Sequence, residues 1–255
     1  MAIKTAYSTR VALLGLIASV AIAASGCGET ERASLPRPDP GVTLAAYLDD
    51  GRPVFVVRHQ NGDISVLDAT STHVSFGVRE LNVWCPQGRA FQALSTGGGW
   101  DEWGVLHRGP PPSGLGTFSW KLRLGDETHA TGIDVTGFAG RVAGRAKSDG
   151  RSMFDGCDPS NWLSHTFDGV KRLTPAAAVA SSPSGWVLMR GRIDFAGQRL
   201  CSEDAGCLKP AHVADLQSPG AYPYVDQIER TADYLARVRD GALVELTRTV
   251  QPAAN

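Results

Sequence analysis

The stretch from Val78 to Phe118 constrains this chain more than any other. An apolar run leads into Trp84-Cys85-Pro86, and a glycine-dense loop follows through Gly97-Gly98-Gly99. Trp100-Asp101 comes next, with Gly104 three residues on, and the stretch closes on Gly109-Pro110-Pro111-Pro112-Ser113-Gly114-Leu115. A helix interior loses about 1 kcal/mol at each glycine and about 3 at each proline, so no long helix runs through such a segment. With 29 glycines and 15 prolines in 255 residues, and little helical periodicity, short strands joined by turns are expected.

The flanking sequence carries strand signals. Pro53 to His59 is β-branched, Asn61-Gly62 is a strong hairpin turn, and Asp63 to Asp68 returns with Ile64 and Val66 on one face. Thr43 to Asp50 reads as a short strand or turn, and Val78 to Trp84 and Val105 to His107 as further strands. Phe118 to Leu124 alternates, placing Phe118, Trp120, Leu122 and Leu124 on one side. Thr174 to Gly185 is small and flexible, read as a loop. Trp186 to Phe195 reads as a long strand with a bulge or bend at Gly191. Tyr234 to Val250 reads as two β runs about Asp240-Gly241, in competition with a helix over Val225 to Val238. The expected class is all-β: an antiparallel β domain over residues 42–134, then a second small β domain over 135–255, an open barrel being one form available to it.

The order of loops between Val78 and Phe118 resembles the cluster-holding half of Rieske-type iron–sulfur domains. There a Cys-Pro loop, a second loop, an aromatic-Asp turn ending in Gly and a Gly-Pro-rich strap succeed one another. The resemblance covers Pro53 to Leu124, under a third of the chain. A Rieske centre takes two Cys on one iron and two His on the other, presented as Cys-x-His and Cys-x-x-His. Neither spacing occurs here: Cys85 is followed by Pro86, Gln87 and Gly88. Aligned on Trp100-Asp101, the second ligand pair falls on Ala93 and Thr96. The resemblance therefore implies a Rieske-like scaffold whose cluster loops, at Cys85, Gln87, Ala93 and Thr96, have lost the [2Fe–2S] cluster. With no metal between them, the Cys85 loop and the strap are expected to close over side chains, Trp84, Phe91 or Trp100 filling the space.

Residues 1–26 read as an export leader. Lys4 and Arg10 form a positive start, and Val11 to Ala24 form an apolar segment too short to span a bilayer comfortably. Ala24-Ser25-Gly26-Cys27 resembles a bacterial lipoprotein lipobox, with Ala24 where such boxes usually carry Leu. That resemblance implies lipidation of Cys27 and anchoring to a membrane in the cell envelope, outside the cytoplasm; two or more acyl chains hold stably where one does not. An ordinary secretory leader, with Cys27 free or in a disulfide, is the alternative. Residues 27–41, with Pro36, Pro38 and Pro40, read as an extended tether.

Outside the cytoplasm Cys201 and Cys207, flanking a short polar loop, are expected to form a disulfide. A zinc site adding His212 fits no standard spacing. Cys85 and Cys157 are left to pair across the two halves or to stay buried as free thiols. His107 has no evident ligand partners, and Ser95 lies in no nucleophile elbow. Asp101 and Glu102 are adjacent, so on a strand they face opposite ways. Trp100, Trp103 and Trp120 suit core packing or a binding groove.

The net charge is −1, or −3 once Lys4 and Arg10 leave with a cleaved leader, and no basic stripe is present. Nucleic acid is accordingly not expected as a partner. These features together suggest a membrane-anchored, non-catalytic binding or structural module, with a protein of a membrane complex as a partner. An electron-transfer protein carrying [2Fe–2S] is the alternative.

Overall fold

The computed structural model describes residues 31–75, 77–125, 130–146, 156–202, 206–209 and 231–249. Strand accounts for about 51% and helix for about 6%, so the protein is all-β.

The first sheet holds six strands in the order β1-β11-β10-β4-β3-β2. They are β1 (Ala33–Pro36), β2 (Thr43–Tyr47), β3 (Pro53–Arg58), β4 (Ile64–Asp68), β10 (Gly116–Leu124) and β11 (Ala130–Arg141). Every pairing is antiparallel. β3 explains why Pro53 to His59 reads as a continuous apolar run. Val54 and Val56 face one core cluster with Leu35, Ile64, Val66, Phe118 and Ile133. Phe55 and Val57 face the other, with Leu67, Trp84, Phe91, Trp100 and Leu106. A strand buried on both sides has no polar face to show.

A four-stranded meander carries the loops of interest: β6 (Val83–Cys85), β7 (Ala90–Gln92), β8 (Gly99–Asp101) and β9 (Leu106–Arg108), paired in that order. The third sheet runs β14-β13-β12-β15-β16-β5. Its strands are β12 (Gly185–Asp194), β13 (Arg199–Cys201), β14 (Cys207–Leu208), β15 (Ala232–Arg239), β16 (Ala242–Arg248) and β5 (Arg79–Glu80). β5 comes from the first half of the chain and pairs parallel to β16, Thr247 opposite Arg79 and Arg248 opposite Glu80.

Several expectations are refined. Ala33 to Pro36 lies within the expected tether yet forms a ladder with β11, because Ala33 and Leu35 alternate into the core. β11 runs through residues 134 and 135, so the expected domain boundary falls inside one strand. Pro175–Ser181 is a helix, α1, where a loop is expected. Thr174 caps it by accepting the Ala177 N–H at 3.1 Å, Pro175 opens its first turn, and four of its seven residues are alanine. On β10 only Phe118 and Trp120 join the core, whereas Leu122 and Leu124 are exposed, since the outer end of the strand runs past the packed layer. Gly191 makes no bulge: its pairing with Ala232 is in register, and a Cβ there would stand 2.6 Å from the Cys201 carbonyl oxygen. Of the competing helix, residues 232–238 form strand instead, and residues 225–230 lie outside the described residues.

Candidate functional site

The meander sets the Cys-Pro loop and the acidic turn at one end, with Cys85 opposite Ala90 and Ala90 opposite Asp101, and the second loop and the proline strap at the other. Where the Cys85 loop is expected to close with the strap, the strap instead packs on the second loop. Cys85 ends β6, is fully buried, and is joined to Cys157 in a disulfide. The Gly88 N–H donates to its sulfur at 3.3 Å. Gln87 is exposed, and Ala93 is fully buried with its N–H on the Gly98 carbonyl at 2.9 Å. The loop after Ala93 closes around the buried carboxylate of Glu80. Ser95 donates to it through its N–H and its hydroxyl, both at 2.6 Å, and Thr96 through its N–H at 3.3 Å and its hydroxyl at 3.4 Å. Glu80 sits on β5, so this loop is also fastened to the third sheet.

The residues at the aligned ligand positions do not fit a [2Fe–2S] group. Such a cluster requires thiolates and imidazoles. The sulfur of Cys85 is spent in a disulfide, and Gln87, Ala93 and Thr96 offer an amide, a methyl group and a hydroxyl already turned to Glu80. Trp84, Phe91 and Trp100 pack in one cluster beneath these loops, with 4.7 Å between the Trp84 and Phe91 ring centroids.

The strap lies on the second loop. The Ser113 carbonyl accepts the Trp100 indole N–H at 3.1 Å and the Thr72 hydroxyl at 2.8 Å. Pro111 stands so close to Gly98 that a Cβ on that glycine would meet it at 2.7 Å.

Asp101 ends β8 and Glu102 begins the turn after it, and the two serve different histidines. Asp101 accepts its own turn's N–H groups from Trp103 and Val105, and His107 Nε2 lies 3.0 Å from its other oxygen. Glu102 reaches the hairpin after β3. His59 Nδ1 is 2.9 Å from Glu102 Oε2, and since a carboxylate only accepts, Nδ1 carries the proton. The ring's Nε2 lies 2.9 Å from the Ser65 hydroxyl. Arg89 also grips Glu102, with Nε at 3.0 Å and a second contact from Nη2, and holds φ at +48°. Burial raises the Glu102 pKa, but the hydrogen bonds and charges of Arg89 and His59 outweigh it and hold the carboxyl below its usual range.

Hydroxyl, imidazole and carboxylate in that order recur in nucleophilic triads. Here the imidazole is 2% exposed and one of its faces is covered by Trp103. The arrangement works as a lock between the β3–β4 hairpin and the Trp100–Gly104 turn. Neither His59 nor Arg89 stands out in the sequence; 43 residues separate His59 from Glu102, and no local spacing signals their meeting.

Cys201 and Cys207 are directly opposed on β13 and β14 and joined in a disulfide. His73 is partly buried, and desolvation lowers its pKa against the pull of Glu80. Trp120 packs at the edge of the first core, and Trp103 is exposed beyond its contact with His59. Cys27 and His212 lie outside the described residues, and no described helix is long and apolar enough to cross a membrane. The chain matches no protein-family model and no curated protein sequence.

Proposed function

We propose that this chain is an exported lipoprotein, anchored in the cell envelope through Cys27, whose Rieske-like region is a cluster-free scaffold acting as a non-catalytic binding or structural module for a membrane-complex protein. The observation that carries the reading is the fate of Cys85. The single cysteine at an aligned ligand position is bonded to Cys157, and the other three positions supply neither the thiolate nor the imidazoles of a Rieske centre. The Arg89–Glu102–His59 lock of the acidic turn also supports it, since it fastens loops to the scaffold around a buried imidazole. The leader sequence supports the location. Full-length protein purified from membranes, assayed for iron, acid-labile sulfide and visible absorption, is expected to contain no cluster. Stoichiometric iron and sulfide would overturn the reading in favour of an electron-transfer protein. Cys27→Ala is expected to release the protein from the membrane fraction; retention there would remove the anchoring part.

A further inference from the structure

A polar crevice of about 240 Å³ opens where the first and third sheets meet. Its walls come from far apart in the chain: Arg52 from the β2–β3 turn, Arg79 from β5, Arg141 from β11 and Arg237 from β15. Three carboxylates, Glu31, Asp68 and Glu245, share the lining. Four guanidinium groups against three carboxylates leave an excess positive charge, in a recess where low-dielectric walls strengthen it.

The pairing pattern shows where that excess lies. Arg52 Nη2 binds Glu31 at 2.9 Å and its Nη1 stands 3.6 Å from Asp68. Its side chain is 8% exposed, yet its Nε–H is buried with no hydrogen-bond partner. Arg79 gives Nε to Glu245 at 3.1 Å and Nη1 to the Ser71 carbonyl at 3.0 Å. Burial pushes the Glu245 carboxyl up, against the pull of Arg79, so that wall carries its negative charge reluctantly. Arg141, exposed at the end of β11, makes no ion pair with any described carboxylate. Planar forks of this kind match the oxygens of carboxylate and phosphate.

We infer that this crevice binds a small anion bearing a carboxylate or phosphate group, held between the guanidinium groups of Arg52 and Arg141. A volume of about 240 Å³ is of the size of a small anion rather than of a larger cofactor. Because residues of both sheets line the crevice, an occupant would also clamp β11 against β15 and β16.

Isothermal titration of the full-length protein in detergent tests this, with inorganic phosphate in one arm, succinate in another, and chloride at matched ionic strength as control. Saturable binding of phosphate or succinate but not chloride is expected, and the stronger arm identifies the headgroup. Arg141→Gln, on an exposed side chain that the fold does not need, is expected to weaken binding at least about tenfold. Arg190→Gln, 70% exposed and outside the crevice, is expected to leave it unchanged. Absence of saturable binding in both arms, equal heats with chloride, or equal affinity in Arg141→Gln and the unaltered chain would each overturn the assignment. Unchanged near-ultraviolet circular dichroism of Arg141→Gln keeps a loss of affinity attributable to the crevice.

Discussion

The imidazole of His59 lies flat on the indole of Trp103, with 3.4 Å between ring centroids and 7° between planes. His59 follows β3 and Trp103 lies in the turn after β8, so the stack ties the first sheet to the meander. The same imidazole donates to Glu102, the residue before Trp103. The stack therefore shields a charge-assisted hydrogen bond from water, which strengthens it.

Trp103→Ala is expected to lower stability by about 1–2 kcal/mol, combining lost aromatic contact with exposure of that bond. Urea unfolding measures it. Trp103→Phe should recover part of the loss, because a smaller ring still covers the imidazole. A Trp103→Ala protein with an unchanged midpoint would show that the stack contributes nothing.

His165 sets a pH dependence. Its ring is buried between Tyr47 and Phe55, with Nε2–H directed at the Val54 carbonyl at 3.0 Å and the Ala46 carbonyl at 3.2 Å. Desolvation, against those two hydrogen bonds, lowers its pKa to about 4. The unfolded chain takes up that proton near pH 6.5, so the folded state binds fewer protons between these values. The contribution is fully present above about pH 6.5 and is lost as pH falls toward about 4, by roughly 3 kcal/mol in all. His165→Gln cannot titrate, so its stability should depend less on pH across that window, even if it is lower at pH 7. Parallel urea curves for both proteins at several pH values test this, and identical slopes would refute it.

What the sequence made legible is what local chemistry decides. Asn61-Gly62 and Asp240-Gly241 announce hairpins because tight turns need positive φ, and Gly62, Asp240 and Gly241 adopt it at +93°, +51° and +73°. β1 was harder to read because Pro36 and Pro38 mask the alternation of Ala33 and Leu35. α1 was written in Thr174-Pro175 and the alanines after it, but the surrounding serines and Gly185 read as loop. The pairing of Arg79-Glu80 with Thr247-Arg248, the meeting of His59 with Glu102, and the crevice arginines were not legible, since each joins residues that only the sheet order brings together.

The strap depends on glycine at one close approach. Gly109 holds φ at +90°, and a Cβ there would stand 2.7 Å from the Gly98 Cα and 2.8 Å from the Gly97 carbonyl oxygen. Gly109→Ala therefore meets both backbone strain and backbone collision, and should cost about 2–3 kcal/mol. Gly62 offers the comparison: φ is +93° with nothing within 4 Å, so Gly62→Ala meets strain alone, about 1 kcal/mol. Thermal unfolding of the two variants separates the terms. Equal losses would mean that the strap does not press on the second loop.

The disulfide between Cys85 and Cys157 links the Cys-Pro loop to a segment 72 residues further on. In the chain-entropy description a loop of that size stabilises the folded state by about 4 kcal/mol, and small core losses on substitution add to it. The double variant Cys85→Ala with Cys157→Ala leaves no stray thiol, and urea unfolding should show a loss of that order. Cys157→Ala alone asks a different question, because it returns a thiol to Cys85. If the disulfide were what displaces iron from an otherwise competent site, this variant should acquire iron and visible absorption on reconstitution. It is expected to acquire neither, since Gln87, Ala93 and Thr96 still supply no thiolate or imidazole. Bound iron in Cys157→Ala would mean that ligands from elsewhere in the chain reach Cys85. Free alkylation of both cysteines in the denatured, unreduced protein would mean that the bridge does not form.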